Sequence, residues 1–478
     1  MAGPGEDDDP TLTGDTRIIH RARKRYLRCK SWYDEAYKRS LDDTKFANAD
    51  DRNKWQWPDK IYADRDNKRK PCFTINIVQP ANRLVINEAL QNKASPRVRA
   101  TGAEATAEAA EGMQTLIERT ENISTATIAY RNVITQQIDG GFGFLCLETK
   151  YVNDKSWDQD VYVRAARDPR AVYVDYDTKE PDGSDAGFGF EFEKVPRDRF
   201  NREHPRFKDK VGESTLGNDA LWLTDSHVLV AMYYEREAKN DELITFVQAD
   251  GATFNGHRSQ IEKDSGPEIV DKLIEQIDNG EIDGRYRDVI TQSVNWYLIG
   301  GDCILKRGDK DGTRWIGEYV PLIPCWGIKT IIDGKFDCKG HTRAQISPQQ
   351  YLNYNASGQA QFGALQTKTP WVGPARAFES NEEQWGKANI EDFAFLAFDD
   401  WVQDEGEQGR AVAKPERVEP PQIAPIFAKG MEDAERMNMM ATGQFQAQRG
   451  MEDQQSAASG KAINARQRQG NVATYHFT

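Results

Sequence analysis

Apolar residues recur along this chain with a period that changes several times, and each change marks an element. Between Thr16 and Ser40, Ile19, Tyr26, Tyr33 and Tyr37 return at helical spacing among basic neighbours, predicting a long basic, aromatic helix. The stretch "PCFTINIVQPANRLVINEALQNKASPRVRA" starts β-branched, turns helical in its middle and ends as an extended strand. Two helices follow at 104–120 and 124–139. The second places Ile128, Tyr130, Val133, Ile134 and Ile138 at three- and four-residue spacings.

From Gly140 to about Tyr234 the period shortens to that of strands. "GGFGFLCLETKYV", "DVYVRAA", "RAVYVDYD", "AGFGFEFEKV" and "HVLVAMYYERE" alternate or run apolar between Gly, Pro and Asp breaks. "SGPEIVDKLIEQIDNG" (265–280) predicts a short amphipathic helix with Ile269, Leu273, Ile274 and Ile277 on one face. More strands follow in "DVITQSVNWYLIGG", "CILKR", "RWIGEYVPLIPCWG" and "KTIIDGKFDCKG". Residues 347–366 open with Ser347 as N-cap and Pro348 as the first helical residue. A last long helix is read in "PPQIAPIFAKGMEDAERMNMMATGQF", with Ile423, Phe427, Met431, Ala434 and Met437 in register. The order helical, β, helix, β, helical defines an α+β chain with a β module inserted between helices. No repeat of fixed period is present.

Composition changes this picture in one respect. At 478 residues the chain can hold two or more domains, or one large elongated one, yet only 38% of it is hydrophobic. Eleven Trp, 17 Tyr and 20 Phe argue against disorder. A folded subunit that shares its interior with partners reconciles the two. No apolar run approaches the roughly 18 residues that span a bilayer, and the opening "MAGPGEDDDPTLTGD" has no secretory pattern. The six cysteines are scattered without a CxxC pair, which reads as free thiols in a reducing compartment. Net charge is −13, but unevenly spread: 21–30, "RARKRYLRCK", carries six bases and no acid, and 390–408 seven acids and no base. Each reads as a solvated face or as a partner surface.

The chemical motifs fail on inspection. "SGKAINARQRQG" (459–470) ends like a phosphate loop, but Gln455 stands at the first-Gly position and Ala462 follows Lys461. The polar "RGMEDQQSAAS" before it is no strand. "RGDKDGTRWIGE" (307–318) matches a calcium loop at Asp309, Asp311, Gly312 and Glu318, but Arg307 takes the first ligand position and a hairpin turn explains the rest. "GGFGF" and "AGFGF" lack dinucleotide spacing and read as flexible or tightly packed strands. The six histidines lie far apart, and the adjacent acids Asp399 and Asp400 point to opposite faces of a strand. No catalytic site, cofactor or metal set is visible.

Several segments together resemble the portal (head-to-tail connector) proteins of short-tailed double-stranded DNA phages. They are "KPCFTINIVQPANRLVINEALQNKASPRVR", "DPRAVYVDYDTKEPDGSDAGFGF", "EYVPLIPCWGIKTIIDGKFDCKGHTRAQISPQQYLNYNASGQAQFGAL", "KTPWVGPARAFE" and "SGKAINARQRQGNVATYHF", in the family's order across most of 65–478. The chain departs from the pattern at Ser347-Pro348-Gln349-Gln350, where the family has Asp-Pro-Gln-Arg. The family also runs on past "SGKAI" into further helices, so the resemblance implies a missing upper region after Thr478.

The resemblance implies an elongated α+β subunit with an α/β wing, a helical stem, a β-containing clip and a helical approach to a crown. After a flexible leader (1–15), the wing takes 16–264, a stem helix 265–280, the clip 281–340 and a second stem helix 341–366. The wing resumes at 367–442, and 443–478 holds a channel loop and the start of the crown. It further implies a virion protein at one capsid vertex, present in the host cytoplasm during assembly. Its partners would be copies of itself in a ring of about twelve, duplex DNA passing through, the terminase large subunit, a tail adaptor, and the major capsid and scaffold proteins. The Gly-, Gln- and Ser-rich loop 442–460 makes Gln448 and Arg449 candidates for approaching DNA, with Lys461, Arg466 and Arg468 beyond. Trp296, Tyr297, Trp315 and Trp326 are candidates for contact with a neighbour, the motor or the adaptor, or else core residues. The run 21–30 is a candidate for the shell, the scaffold or a neighbour's acidic surface. Another ring-forming tail or capsid protein, or a packaging ATPase or nuclease, is the alternative.

Overall fold

The computed structural model describes residues 11–91, 97–101, 106–208, 227–247, 253–310, 312–366, 369–402, 409–419 and 425–444. In chain order the first helices are α1 (Gly14–Ala47), α2 (Asp59–Asn67), α3 (Val78–Gln91), α4 (Ala107–Ile123) and α5 (Ala126–Gly140). Strands β1 (Phe142–Tyr151), β2 (Gln159–Ala165), β3 (Val172–Val174) and β4 (Phe188–Pro196) precede α6 (Arg197–Glu203). Next come β5 (His227–Val247), β6 (Thr253–His257), α7 (Arg258–Ser265), α8 (Pro267–Asp278), β7 (Gly284–Gly300) and β8 (Cys303–Gly308). Strands β9 (Leu322–Trp326), β10 (Ile328–Ile332) and β11 (Lys335–Lys339) lead to α9 (Ile346–Gln366). The last elements are β12 (Trp371–Val372), α10 (Glu382–Lys387), β13 (Trp401–Val402), β14 (Arg410–Ala411), β15 (Glu416–Arg417) and α11 (Ile426–Thr442).

The chain forms two compact units, each discontinuous in sequence: Met1–Ser40 with Lys93–Gly340, and Leu41–Asn92 with His341–Thr478. Among the described residues the first holds the two-stranded β10-β11 sheet and two larger ones. One has the order β2-β1-β9; the other runs β3-β4-β5-β7-β8, with β6 added on β5. Residues 281–340 do not pair among themselves alone, because β7 pairs with β5 and β9 with β1.

Aromatic rings make this unit's core. The predicted stripe of α1 is buried throughout: Ile19, Tyr26, Tyr33 and Tyr37 are each under 9% exposed, as an amphipathic helix on a sheet requires. Tyr26 meets Tyr173 at 5.3 Å and Phe192 at 4.7 Å, and Tyr37 stacks on Phe142 at 4.8 Å. Phe190 stacks on Tyr233 at 4.7 Å. The close packing read into "GGFGF" is real. A Cβ on Gly143 would lie 2.7 Å from the Val133 carbonyl oxygen, and Gly141, at φ +98°, ends α5 with its own Cβ position 2.7 Å from the Cys338 oxygen.

The basic run lies within α1, and three of its six cations turn inward. Arg25 donates to Tyr233 Oη (2.6 Å) and Glu235 Oε1 (2.8 Å), Arg21 donates to Glu235 Oε2 (2.7 Å), and Arg23 pairs with Asp302. Much of the run therefore fastens the helix to β5 and the turn after β7. For these three residues this replaces the reading of 21–30 as an external patch, because burial beside carboxylates uses up their charge.

In the second unit a different interior appears. The β-branched segment 71–77 is extended but joins no sheet. Its amides dock on α9 instead: Phe73 N–H donates to Ser357 Oγ (2.9 Å), Ile75 N–H to Asn353 Oδ1 (2.9 Å) and Ile77 N–H to Gln349 Oε1 (3.0 Å). Gln349 Nε2 returns a bond to the Ile75 oxygen at 2.6 Å. The fit is commensurate, since two strand residues advance about 6.6 Å and four helical residues about 6 Å. One rung further, Gln345 donates to Asn82 Oδ1 (2.9 Å) and accepts from Asn438 Nδ2 (3.1 Å). Gln345, Gln349, Ser357 and Asn438 are fully buried. The line of α9 that meets 71–77 is thus a row of amides and a hydroxyl, beside the buried Leu352 and Ala356.

Other expectations shift by small, explicable amounts. Ser347 does not cap α9, because a 3-10 turn at Arg343–Gln345 leads into a helix that starts at Ile346. Pro348 is tolerated in that first turn, where its missing N–H is not needed. On α8 the buried contact is Val270, and Ile269 is 54% exposed. On α11 the buried line is Gly430, Ala434, Asn438 and Thr442, a four-residue step, while Met437 is exposed and Ile423 lies outside the described residues. The predicted strand at 97–100 is irregular backbone, with Val98 N–H donating to Gln114 Oε1 at 3.0 Å.

Candidate partner-contact and nucleic-acid surfaces

The four aromatic candidates lie in the first unit, in or against its core. Tyr297 is 3% exposed and lies 6.0 Å from Tyr233; burial pushes its hydroxyl up to about 12. Trp326 is half-buried between Phe336 (5.3 Å), Phe144 (5.7 Å) and Phe142 (5.9 Å), with Lys329 Nζ 5.5 Å over its ring. Trp296 donates from Nε1 to the Thr313 oxygen at 2.9 Å and lies on Gly308, where a Cβ would come within 2.0 Å of it. Trp315 is tied by its backbone N–H to the Val294 oxygen (3.1 Å) and packs on the same core. All four hold strands together, and Tyr297 has almost no surface left to offer.

The channel candidates Gln448, Arg449, Lys461, Arg466 and Arg468 lie outside the described residues. The calcium-like loop is occupied from within: Arg307 Nε donates to Asp309 Oδ1 at 3.0 Å, and Arg307 holds the Asp309 carboxyl below its ordinary pKa. Among the described residues no group of three or more His, Cys, Asp or Glu side chains is placed to hold a metal ion. No described helix is long and apolar enough to cross a membrane.

A feature missed in the sequence is the length of β5 and β7. They pair without a break from Val230↔Gly300 to Phe246↔Gly284, with β6 alongside the far half of β5. Side chains alternate across this ribbon. One face is covered by α7 and α8: Ile244 is fully buried, Phe246 and Phe254 pair at 5.1 Å, and Ile277 closes on Gly284. Arg258 Nη1 donates to Glu242 Oε2 at 2.9 Å on that side. The opposite face carries the rows Asn255–Thr245–Arg285 and His257–Leu243–Arg287. Asn255, His257, Arg285 and Arg287 are exposed. The only visible sign in the sequence was two arginines at alternate positions of a strand.

Sheets packed on an aromatic core in one unit, and helices dominating the other, define an α+β protein. A sequence profile of the phage P22-like portal protein family matches residues 23–478, so the chain belongs to that family. It is also similar to the "Portal protein" of Acyrthosiphon pisum secondary endosymbiont phage 1, with 24% identity over 368 residues, 75% of this chain and 49% of the relative. The chain spans about half the length of that curated relative. The family is a structural one.

Proposed function

We propose that this chain is a portal subunit, a ring-forming structural protein at one capsid vertex through which the genome enters during packaging and leaves on ejection. One observation carries the reading: the family match spans residues 23–478. A ring-former need not bury all its apolar surface within one chain, which agrees with the low hydrophobic content beside many aromatics. A net charge of −13 per subunit suits a channel that must let phosphates slide, because each neutralised phosphate adds counterion-release affinity. The partners are further copies of the chain, duplex DNA, the terminase motor, the tail adaptor and the shell.

Within this reading 16–264 and 367–442 supply the wing, 265–280 and 341–366 the stem, 281–340 the clip, and 443–478 a channel loop leading to the crown. Trp296, Trp315 and Trp326 keep part of their rings available to a neighbour. Imaging of the purified chain as particles tests the main claim. A closed ring with a central hole supports it, and a monomer or an open filament overturns it. ATP hydrolysis by the chain alone would move it to the motor class. Arg449→Glu is expected to leave ring assembly intact and to impair DNA packaging or retention, and normal packaging would remove Arg449 from the channel.

A further inference from the structure

We infer that the open face of the β5–β6–β7 ribbon, centred on Arg285 and Arg287, is a binding surface for the sugar–phosphate backbone of duplex DNA. The site follows from the alternation of the strands. Helices α7 and α8 cover one side with Ile244, Phe246, Ile261 and Ile277, which leaves the other side to solvent. On that open side Arg285 pairs across with Thr245 and Arg287 with Leu243, flanked by Asn255 and His257 on β6. Thr245 Oγ1 donates to Asn255 Oδ1 at 2.6 Å, which confirms that these polar groups share one face.

Charge decides the class of ligand. Among the described residues neither Arg285 nor Arg287 has a carboxylate partner, and two cations at i and i+2 repel each other without an anion between them. Two acids flank the pair in the strand alternation: exposed Asp283, whose carbonyl accepts from Val247 N–H (2.9 Å), lies two residues before Arg285, and Asp241, in the row beyond Arg287, is engaged by Ser259 N–H (3.1 Å) and Glu242 N–H (2.8 Å). The acids Glu242 and Asp288 project from the other side, on the rungs between. Arginine with Thr and Asn donors is the sequence-independent set that contacts phosphate oxygens. A protein partner would be expected to use a buried apolar or aromatic anchor, and the two central rows offer only the half-buried Leu243. Two phosphates per subunit is also a weak grip, as sliding requires, and repetition around a ring would multiply it.

This inference rests on the portal reading for its ligand, but it is tested on binding alone. The full chain is titrated against a labelled linear duplex over a range of salt. The Arg285→Gln/Arg287→Gln variant should flatten the slope of log K against log salt by about 1.8 for two lost phosphate contacts, with particle size unchanged. Arg285→Lys/Arg287→Lys should keep the slope. An unchanged slope in the Gln pair overturns the assignment. So does equal loss of affinity for poly-glutamate and duplex, which would make the face an acidic-protein dock. If the Gln pair does not fold, protection of Arg285 and Arg287 from phenylglyoxal by duplex decides the point, and no protection overturns it. A chain that forms no ring yet shows the slope change would refute the portal reading and leave this contact standing.

Discussion

The two units bury their interiors by opposite means. In the first, α1 lays Tyr26, Tyr33 and Tyr37 on strands rich in Phe and Tyr, and the contacts are ring against ring. In the second, α9 lays Gln349, Asn353 and Ser357 against an extended segment, and the contacts are hydrogen bonds to backbone amides. Apolar packing is proportional to area and tolerates exchange of shapes of similar volume. A buried amide is directional: it stabilises little in net terms when satisfied, and its loss exposes the full desolvation cost of the partners left behind. The first core should therefore respond to volume, and the second to chemistry at constant volume.

The sharpest way to test the first half of that contrast is a void. Phe190 is 1% exposed and stacks on Tyr233, so Phe190→Ala should cost about 3–5 kcal/mol. Hydrogen exchange should show the loss in peptides from β4, β5 and β7. The second half is tested by a matched pair. Leu322→Met, at a site 1% exposed in the aromatic core, should cost less than about 1.5 kcal/mol. Gln349→Met keeps length and volume but strips the Ile77 N–H and the Ile75 oxygen of their partner, for about 2–4 kcal/mol. That loss should appear in exchange at 71–77 and along α9. Equal, mild effects of the two methionines would erase the distinction between the cores.

The same contrast explains what could be read from residues alone. The stripe of α1 was visible because Ile and Tyr at helical spacing among cations have one natural interpretation, burial on a sheet. Strands β1, β2 and β4 were visible for the parallel reason. The stripe of α9 was equally regular, at Gln345, Gln349, Asn353 and Ser357, but amides at four-residue steps look like a solvated face until their partner is known. That partner, 71–77, lies some 270 residues away, and its β-branched character pointed to a sheet. Strand β5 was expected to end near Glu237, where polar residues begin, yet it runs to Val247 because β7 supplies a cross-strand neighbour at every step. Half of the basic run 21–30 misled for the converse reason: for Arg21, Arg23 and Arg25, charge density marks exposure only when no carboxylate such as Glu235 or Asp302 awaits it inside.

The smallest expected effect asks whether the aromatic unit also relies on polar geometry where its sheet meets solvent. Glu148 on β1 lies between Lys150 Nζ (2.5 Å) and Arg164 Nε (3.2 Å), and Arg164 in turn grips Glu191 at 2.7 Å. Partial burial pulls the Glu148 carboxyl up, but the Lys150 bond and the Arg164 charge outweigh it and hold the group below its usual range. A folded-state pKa below the unfolded one stabilises at pH values above the unfolded pKa of about 4.3, and that contribution is lost as pH falls through the folded value. Glu148→Gln should therefore lower the melting temperature slightly at neutral pH, by the equivalent of about 1 kcal/mol or less, because these side chains remain partly hydrated. The gap between parent and variant should shrink below about pH 4 and narrow with added salt. A gap that persists unchanged in acid would mean that Glu148 acts through its shape, and that the first unit is governed by volume up to its surface.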